Sequence, residues 1–266
     1  MSQDERDRNA PILADKHVGS VSVFTPQNLL REARRQKGLD DAPVPRVCLL
    51  DPDGDIVRHL RSTGAGRPEP GWACYHTEML RTKRPGGDIG IVGCAVGAPF
   101  AVLVAEQMFA SGCELLISIT SAGQLIERRP PPYFLLIERA LRDEGTSYHY
   151  AAPGRYSLAD AELLTRLDGA FARCEVDVVR GAAWTTDAPF RETAQAIEAM
   201  RAEGLEAVEM EAAALYAFAA ARGRQVVCFA HITNRMAQSG DDFEKGEAGG
   251  AVDALSLVDA VMTALI

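Results

Sequence analysis

The sequence predicts a single α/β domain with helices packed on both faces of a mixed sheet. Three observations carry that prediction. Short apolar runs of strand type alternate with longer helical stretches, glycine turns join several of them, and no fixed period repeats along the chain. The 266 residues, 47% apolar and 24% charged, suit one such unit, because α/β folds commonly reach ~250 residues. A chain of this length buries roughly three quarters of the surface it would expose unfolded.

Residues 1–16 read as a weakly ordered polar arm. Thr25 then caps a helix that has Pro26 at its first position. Leu29, Leu30 and Ala33 share one face of it, Arg31, Glu32, Arg34, Arg35 and Lys37 cover the other, and Gly38 stops it. After a linker over 40–45, Arg46 to Leu50 is a short strand that enters the turn Asp51-Pro52-Asp53-Gly54. Residues 62–71, with three glycines and two prolines, are a loop. Ile89 to Val92 is a buried strand, Gly93 to Gly97 a turn, and Pro99 to Ser111 a helix ending before Gly112. Leu115 to Ile119 is the next buried strand. Pro130-Pro131-Pro132 forces an extended approach to a strand at 134–138. Further strands are expected at 175–183 and 225–232, with helices over 158–173, 191–203, 211–222 and 251–266.

Composition excludes several functions. Twenty-eight Lys and Arg face 37 Asp and Glu, a formal charge of −9, and no long basic run offers the clustered cations that nonspecific nucleic-acid binding needs. No segment approaches the ~18 consecutive apolar residues of a membrane helix, and Met1 to Arg8 is highly charged without an apolar signal core. The expectation is a cytoplasmic protein. The six cysteines are scattered without a CxxC and read as reduced, buried thiols. The five histidines lie far apart with no HExxH, so no metal is expected.

Four segments, each at a strand end or a helix start, are placed where α/β sheets bind ligands. Gly93-Cys94-Ala95-Val96-Gly97 lets backbone approach a ligand beside free helix N–H groups. In Val208-Glu209-Met210-Glu211-Ala212-Ala213, a carboxylate can accept two hydrogen bonds from a vicinal diol; acidic residues in a first turn also simply favour the helix dipole. Arg142 to Tyr150 gathers charges, hydroxyls, the His149 imidazole and two aromatics, as a polar-ligand loop or a solvated turn would. In Trp184-Thr185-Thr186-Asp187-Ala188-Pro189-Phe190-Arg191, Asp187 offers an acid, base or acceptor and Phe190 a stacking face.

With Ile232-Thr233-Asn234-Arg235 added, the order and spacing of these words resemble the nucleoside phosphorylase superfamily, closest to its uridine phosphorylase-like members. The resemblance covers roughly 46–266. It implies a three-layer αβα fold with a partly barrel-like central sheet, filling 17–266, and cleavage of a nucleoside N-glycosidic bond. It also implies nucleoside and inorganic phosphate as partners, no further cofactor, and a homo-oligomer, dimer or hexamer. By resemblance Met210 and Glu211 contact the ribose, Asn234 the base, and Phe190 and Arg191 the base pocket. Asp187, Asn234 and Glu209 are the catalytic candidates, and Gly93, Ser121, Arg142 and His149 complete the substrate site.

The phosphate site departs from the family pattern. Leu50 and Gly54 replace a glycine and an arginine around Asp51-Pro52, and Ser118 stands where a second arginine is expected. Charge-assisted bonds, about twice as strong as neutral ones, are thereby lost. Arg58, Arg61, Arg81 or Arg84 are the candidates to replace them. Three readings stay open: a phosphorylase with a remodelled phosphate site, a hydrolytic nucleosidase whose water is activated by Glu209 or Asp187, and a nucleoside-binding protein without turnover.

Overall fold

A computed structural model describes residues 11–14, 16–172, 174, 176–236 and 242–266. The first helix, α1 (Pro26–Lys37), follows its local signals: the Thr25 hydroxyl accepts from the Asn28 N–H, and Gly38 closes the helix in the left-handed conformation. Strand β1 (Val47–Asp51) leads through a turn into α2 (Asp55–Ser62), and β2 (Arg67–Pro68), β3 (Leu80–Arg84) and β4 (Gly87–Gly93) follow. Helix α3 (Ala98–Ala110), β5 (Leu115–Gln124), β6 (Tyr133–Asp143) and β7 (Tyr156–Leu158) come next. The chain continues with α4 (Ala161–Arg166), β8 (Val178–Thr186), α5 (Ala194–Ala202) and β9 (Ala207–Glu209). It ends with α6 (Ala212–Arg222), β10 (Gln225–Asn234) and α7 (Ala251–Leu265).

These strands form one mixed sheet in the order β10-β6-β8-β9-β5-β1-β4-β3-β2, and β10 also pairs with β5. That second pairing closes β5, β9, β8, β6 and β10 into a ring, while β1 to β4 extend it as an open wing. Strand β1 is buried along its whole length because parallel neighbours, β4 and β5, flank it on both sides. On one face α3 and α6 cover the sheet through Val104, Met108, Leu215 and Phe218. On the other, α2, α4 and α7 do so through Ile56, Leu163, Leu257 and Val261. The expected three-layer α/β architecture with partial barrel closure is therefore what the chain adopts.

Several local expectations are corrected. The helix expected over 158–173 is only Ala161–Arg166. Tyr156–Leu158 is drawn into the sheet against β6, and Gly169, at φ +73°, breaks the continuation. Helix α5 starts at Ala194, where Thr193 caps it, rather than at Arg191. Helix α2 and strands β3 and β9 were not anticipated. The strand expected over 175–183 begins at Val178, and Glu175 lies outside the described residues, as do 1–10 and 15 of the expected arm. The arm's remainder carries a 3-10 turn, Pro11–Leu13. Of the six cysteines, Cys94 is exposed and Cys174 half-buried. The stretch Glu247–Leu265 is long and apolar enough to cross a membrane by length and composition. Within the fold it is a core helix, with Leu257, Val258 and Val261 fully buried.

Two glycines set the spacing between elements near the C-terminal ends of β1 and β4. A Cβ on Gly93 would stand 2.9 Å from Val57 Cγ2, and one on Gly54, at φ +77°, would stand 2.6 Å from Cys94 Sγ. The Asp51–Gly54 turn is thus pressed against the Gly93–Gly97 turn. Across the barrel, the Tyr216 hydroxyl donates to the Ile137 carbonyl at 2.6 Å and accepts from the Cys228 N–H at 3.0 Å, tying α6 to β6 and β10. Tyr216→Phe strands both backbone groups in the core. It is expected to lower stability by ~1–3 kcal/mol, read as a lower urea midpoint at unchanged m-value.

Candidate active site

Strand register brings the chemistry-bearing segments together. Strand β9 lies between β8 and β5, with Glu209 opposite Thr185 and Val208 opposite Gly123. On the other side of β5, Ser121 faces His231 and Gly123 faces Asn234. Met210 and Glu211 therefore leave the sheet beside the ends of β5, β8 and β10.

The two glutamates there do different things. Glu209 is buried and fully bonded. The Thr185 hydroxyl donates to Oε1, and the Glu211 and Ala212 N–H groups donate to Oε2 at 2.7 and 2.8 Å. Thr185 Oγ1 in turn accepts from the Ala213 N–H at 3.0 Å. Together they satisfy the first turn of α6, whose free N–H groups attract an anion.

Glu211, at the cap position of α6, is 1% exposed. Its Oε1 accepts from the Gly97 N–H at 2.7 Å, across at the start of α3. Its Oε2 is buried without a partner among the described residues. Burial, reinforced by the like charge of Glu209, pushes its carboxyl up to about 8, although the Gly97 N–H and the nearby Thr120 hydroxyl pull the other way. Burial also raises Glu209 to about 6, against the hydrogen bonds it accepts.

Around the turn after β1 the groups are acidic. Asp51 accepts from the Gly54 and Val57 N–H groups at 3.1 and 2.9 Å, and burial raises it to about 6. Asp53 Oδ2 accepts from the Ser121 N–H at 2.6 Å. Asp55 holds Lys245 at 2.6 Å and Arg58 at 2.5 Å. The other substitute cations are engaged too: Arg61 with Glu78, Arg81 with Glu69, and Arg84 with Asp259. Ser118 leaves its hydroxyl buried and, among the described residues, unpartnered. His231, stacked on Phe134 at 4.4 Å, is held neutral by burial, its ring lowered to about 4. Among the described residues, no group of three or more His, Cys, Asp or Glu side chains is gathered to hold a metal ion.

The remaining expected site residues are dispersed. Gly93 serves the close approach to α2 described above. Arg142 is buried and turned into its own loop, donating to Ser147 Oγ, Ala152 O and Ala151 O at 2.8, 2.7 and 3.2 Å. Its guanidinium lies 4.3 Å over the Tyr148 ring. Asp187 is exposed and accepts from the Gly145 N–H at 2.8 Å, pinning that loop to the end of β8. His149, also exposed, lines a cavity of about 430 Å³ with Phe24, Pro26, Leu103 and Tyr150. Phe190 and Arg191, expected at the base pocket, lie on the surface of the single chain. Pro189 starts a 3-10 turn that carries both outward, leaving Phe190 99% exposed. Asn234 is buried, and its Oδ1 accepts from the Met236 N–H at 2.9 Å. Gly123 makes room for Met236, whose Sδ lies 2.5 Å from where a Cβ would be. Met210 is half-buried beside Glu211. A roomier cavity of about 510 Å³, lined by Arg166, Cys174, Ser256 and Asp259, holds none of these groups.

Sequence reasoning passed over Thr185, Thr120, Asp53 and Lys245. Thr185 and Asp53 stand inside the quoted motifs, but their roles depend on partners 24 and 68 residues away.

A buried carboxyl at the junction of two helix starts, on a partly closed α/β sheet, defines a nucleoside-phosphorylase-type protein. The chain belongs to the Phosphorylase superfamily, whose family model matches residues 48–263. It is 24% identical over 184 residues to a guanosine phosphorylase of Halorubrum lacusprofundi, covering 69% of this chain and 70% of that one. Its fold is similar to uridine phosphorylase from Vibrio fischeri ES114, with a TM-score of 0.71, 21% identity, and 85% and 94% of the two chains covered. Purine nucleoside phosphorylase from Toxoplasma gondii, in complex with immucillin-H, superposes with a TM-score of 0.70, 13% identity, and 84% and 91% covered.

The pH dependence of stability follows from Glu211. Its folded value of about 8 lies above the ordinary 4.5, so the native state holds a proton that the unfolded chain releases between those values. Stability must therefore fall as pH rises through that window. Glu211→Gln is expected to flatten the decline in Tm between pH 5 and 8, leaving the residual slope of Glu209 and Asp51 below about pH 6. Parallel Tm profiles for the two proteins would contradict the assignment.

Proposed function

We propose that this chain cleaves the N-glycosidic bond of a nucleoside, with the pentose held by Glu211 and flanked by Met210. The observation that carries the reading is the half-bonded Glu211 carboxyl: Oε1 is fixed by the Gly97 N–H, while Oε2, with the Thr120 hydroxyl nearby, is buried without a partner in hydrogen-bond geometry among the described residues. A buried polar atom left unpaired costs ~1–3 kcal/mol, and a pentose hydroxyl is a group of the right kind to pair it. The family, and relatives named as guanosine, uridine and purine nucleoside phosphorylases, support a nucleoside as substrate.

The chemistry suits the electrostatics. Departure of the base leaves an oxocarbenium-like pentose, and positive charge developing beside Glu211 offsets the burial that disfavours its ionised form. The interaction is then strongest in the transition state, where it accelerates the reaction. Glu209 and Thr185 position Glu211 through the start of α6. Asn234, at the end of β10, is the group proposed to meet the base, and Arg142 and Asp187 shape the neighbouring loop. A homo-oligomer belongs to the same reading: Val21, Val23 and Phe24 are 92%, 98% and 72% exposed, an apolar face for a second copy next to the hollow that His149 lines.

Transfer to phosphate is the reaction for which the family is named. Base release from a panel of nucleosides tests the cleavage reading, and tight binding without release points to a protein without turnover. Glu211→Ala is expected to lower kcat/KM by 10²-fold or more, on the order of 3 kcal/mol of transition-state stabilisation. Near-wild-type kinetics in a folded variant remove the pentose from this position.

A further inference from the structure

Given the cleavage reading above, on which this inference rests, we infer that the pentose acceptor is water and that the Asp53 carboxylate fills the place an anionic acceptor would need. An anion attacking beside Glu211 requires backbone donors, cations or both. Two backbone donors beside Glu211 are already taken. The Ser121 N–H is bonded to Asp53 Oδ2 at 2.6 Å and the Gly97 N–H to Glu211 Oε1 at 2.7 Å. Each candidate cation already has a carboxylate partner. Lys245 and Arg58 both hold Asp55, and Arg61, Arg81 and Arg84 each hold a carboxylate of the same chain.

Charge and space agree with this. A dianion seated on Ser121 would lie among Asp51, Asp53 and Asp55. Asp53 is close enough to Glu211 for its charge to disfavour ionisation of that carboxyl. The hollow bounded by Asp51, Asp53, Asp55, Thr120, Ser121 and His231 measures about 20 Å³, room for about one water and too little for a tetrahedral oxyanion. A neutral acceptor meets no such repulsion. Asp53 Oδ1 stands 3.9 Å from Lys245 Nζ, beyond hydrogen-bond reach, which leaves it free to accept a proton from water.

The step balances as a hydrolysis. The C1′–N bond breaks with its electron pair passing to the base, and the water oxygen bonds to C1′. One water proton passes through Asp53 to solvent, and the base takes one proton from solvent. Pentose and free base leave.

The test uses the purified full chain and any nucleoside it cleaves, with and without millimolar phosphate. Products are followed by base release, by phosphorus NMR and by a reducing-sugar assay. The expected result is free pentose at a rate indifferent to phosphate, with no saturable phosphate binding in equilibrium dialysis. Asp53→Asn is expected to lower kcat on the order of 10²-fold, as loss of a general base does, and to bind phosphate measurably. Its fold is checked by circular dichroism. Pentose 1-phosphate formed only when phosphate is present overturns this inference and leaves the cleavage reading standing. Transfer to an added second base, or phosphate binding equal in wild type and Asp53→Asn, overturns it as well. Absence of base release from every nucleoside overturns the cleavage reading and this one together.

Discussion

The site depends on how the first turn of α6 is satisfied. Two carboxylates stand two residues apart in a buried junction, and like charges that close in a poorly hydrated setting repel strongly. The arrangement holds because they are unequal. Glu209 takes the helix N–H groups and the Thr185 hydroxyl, and so supplies the negative end that the helix start favours. Glu211 receives the Gly97 N–H, with the Thr120 hydroxyl nearby, and takes none of the helix donors that Glu209 holds. Its charge is therefore the one that burial suppresses, and on the proposed reading its second oxygen is the one left for the pentose. If Thr185 and Glu209 did not fix the direction in which the chain enters α6, Glu211 would be free to turn toward the helix donors and satisfy itself.

Sheet closure extends this constraint to the rest of the site. Strand β5 is shared between the ring and the wing, pairing with β10, β9 and β1. Its residues 120–123 consequently touch three separate chain segments: the acidic turn through Ser121, the start of α6 near Thr120, and Met236 through Gly123. Small side chains there are a packing requirement. The glycines at 54 and 93 work in the same way on the other side, bringing Asp53 within reach of β5.

What was legible in the sequence was what local chemistry decides. Helix α1 could be read to the residue because Thr25, Pro26 and Gly38 act within a few positions of themselves. The turn at 93–97 and the entry to α6 were legible for the same reason. The stretch 158–173 was not, because Tyr156–Leu158 is claimed by a strand that closes elsewhere, and no helical periodicity records that competition. The motif at 208–213 marked both glutamates as chemically interesting, yet their division of labour depends on Thr185 and Gly97, distant in sequence. Arg142 shows the converse case. Its loop is rich in donors, as a ligand loop should be, but the loop's own carbonyls absorb them. Phe190 has the right chemistry for a heterocycle, and the 3-10 turn beneath it faces it to solvent in the single chain, an orientation that its sequence neighbours did not record.

The departures around Asp51–Gly54 and Ser118 make sense together rather than singly. Loss of one arginine would leave an anion site weakened; loss of both leaves donors such as the Ser121 N–H in need of a negative partner, and Asp53 provides one covalently attached. An internal carboxylate needs no translational entropy to be captured, so on the proposed reading it outcompetes a dissolved anion for the same donor. Its presence also bears on Glu211. A phosphate dianion would add to the field that keeps the Glu211 carboxyl protonated, whereas a neutral acceptor leaves that carboxyl responsive to the cation forming on the pentose. On the proposed reading, the two halves of the site are thus electrically coupled, and the choice of acceptor decides how strongly Glu211 can act.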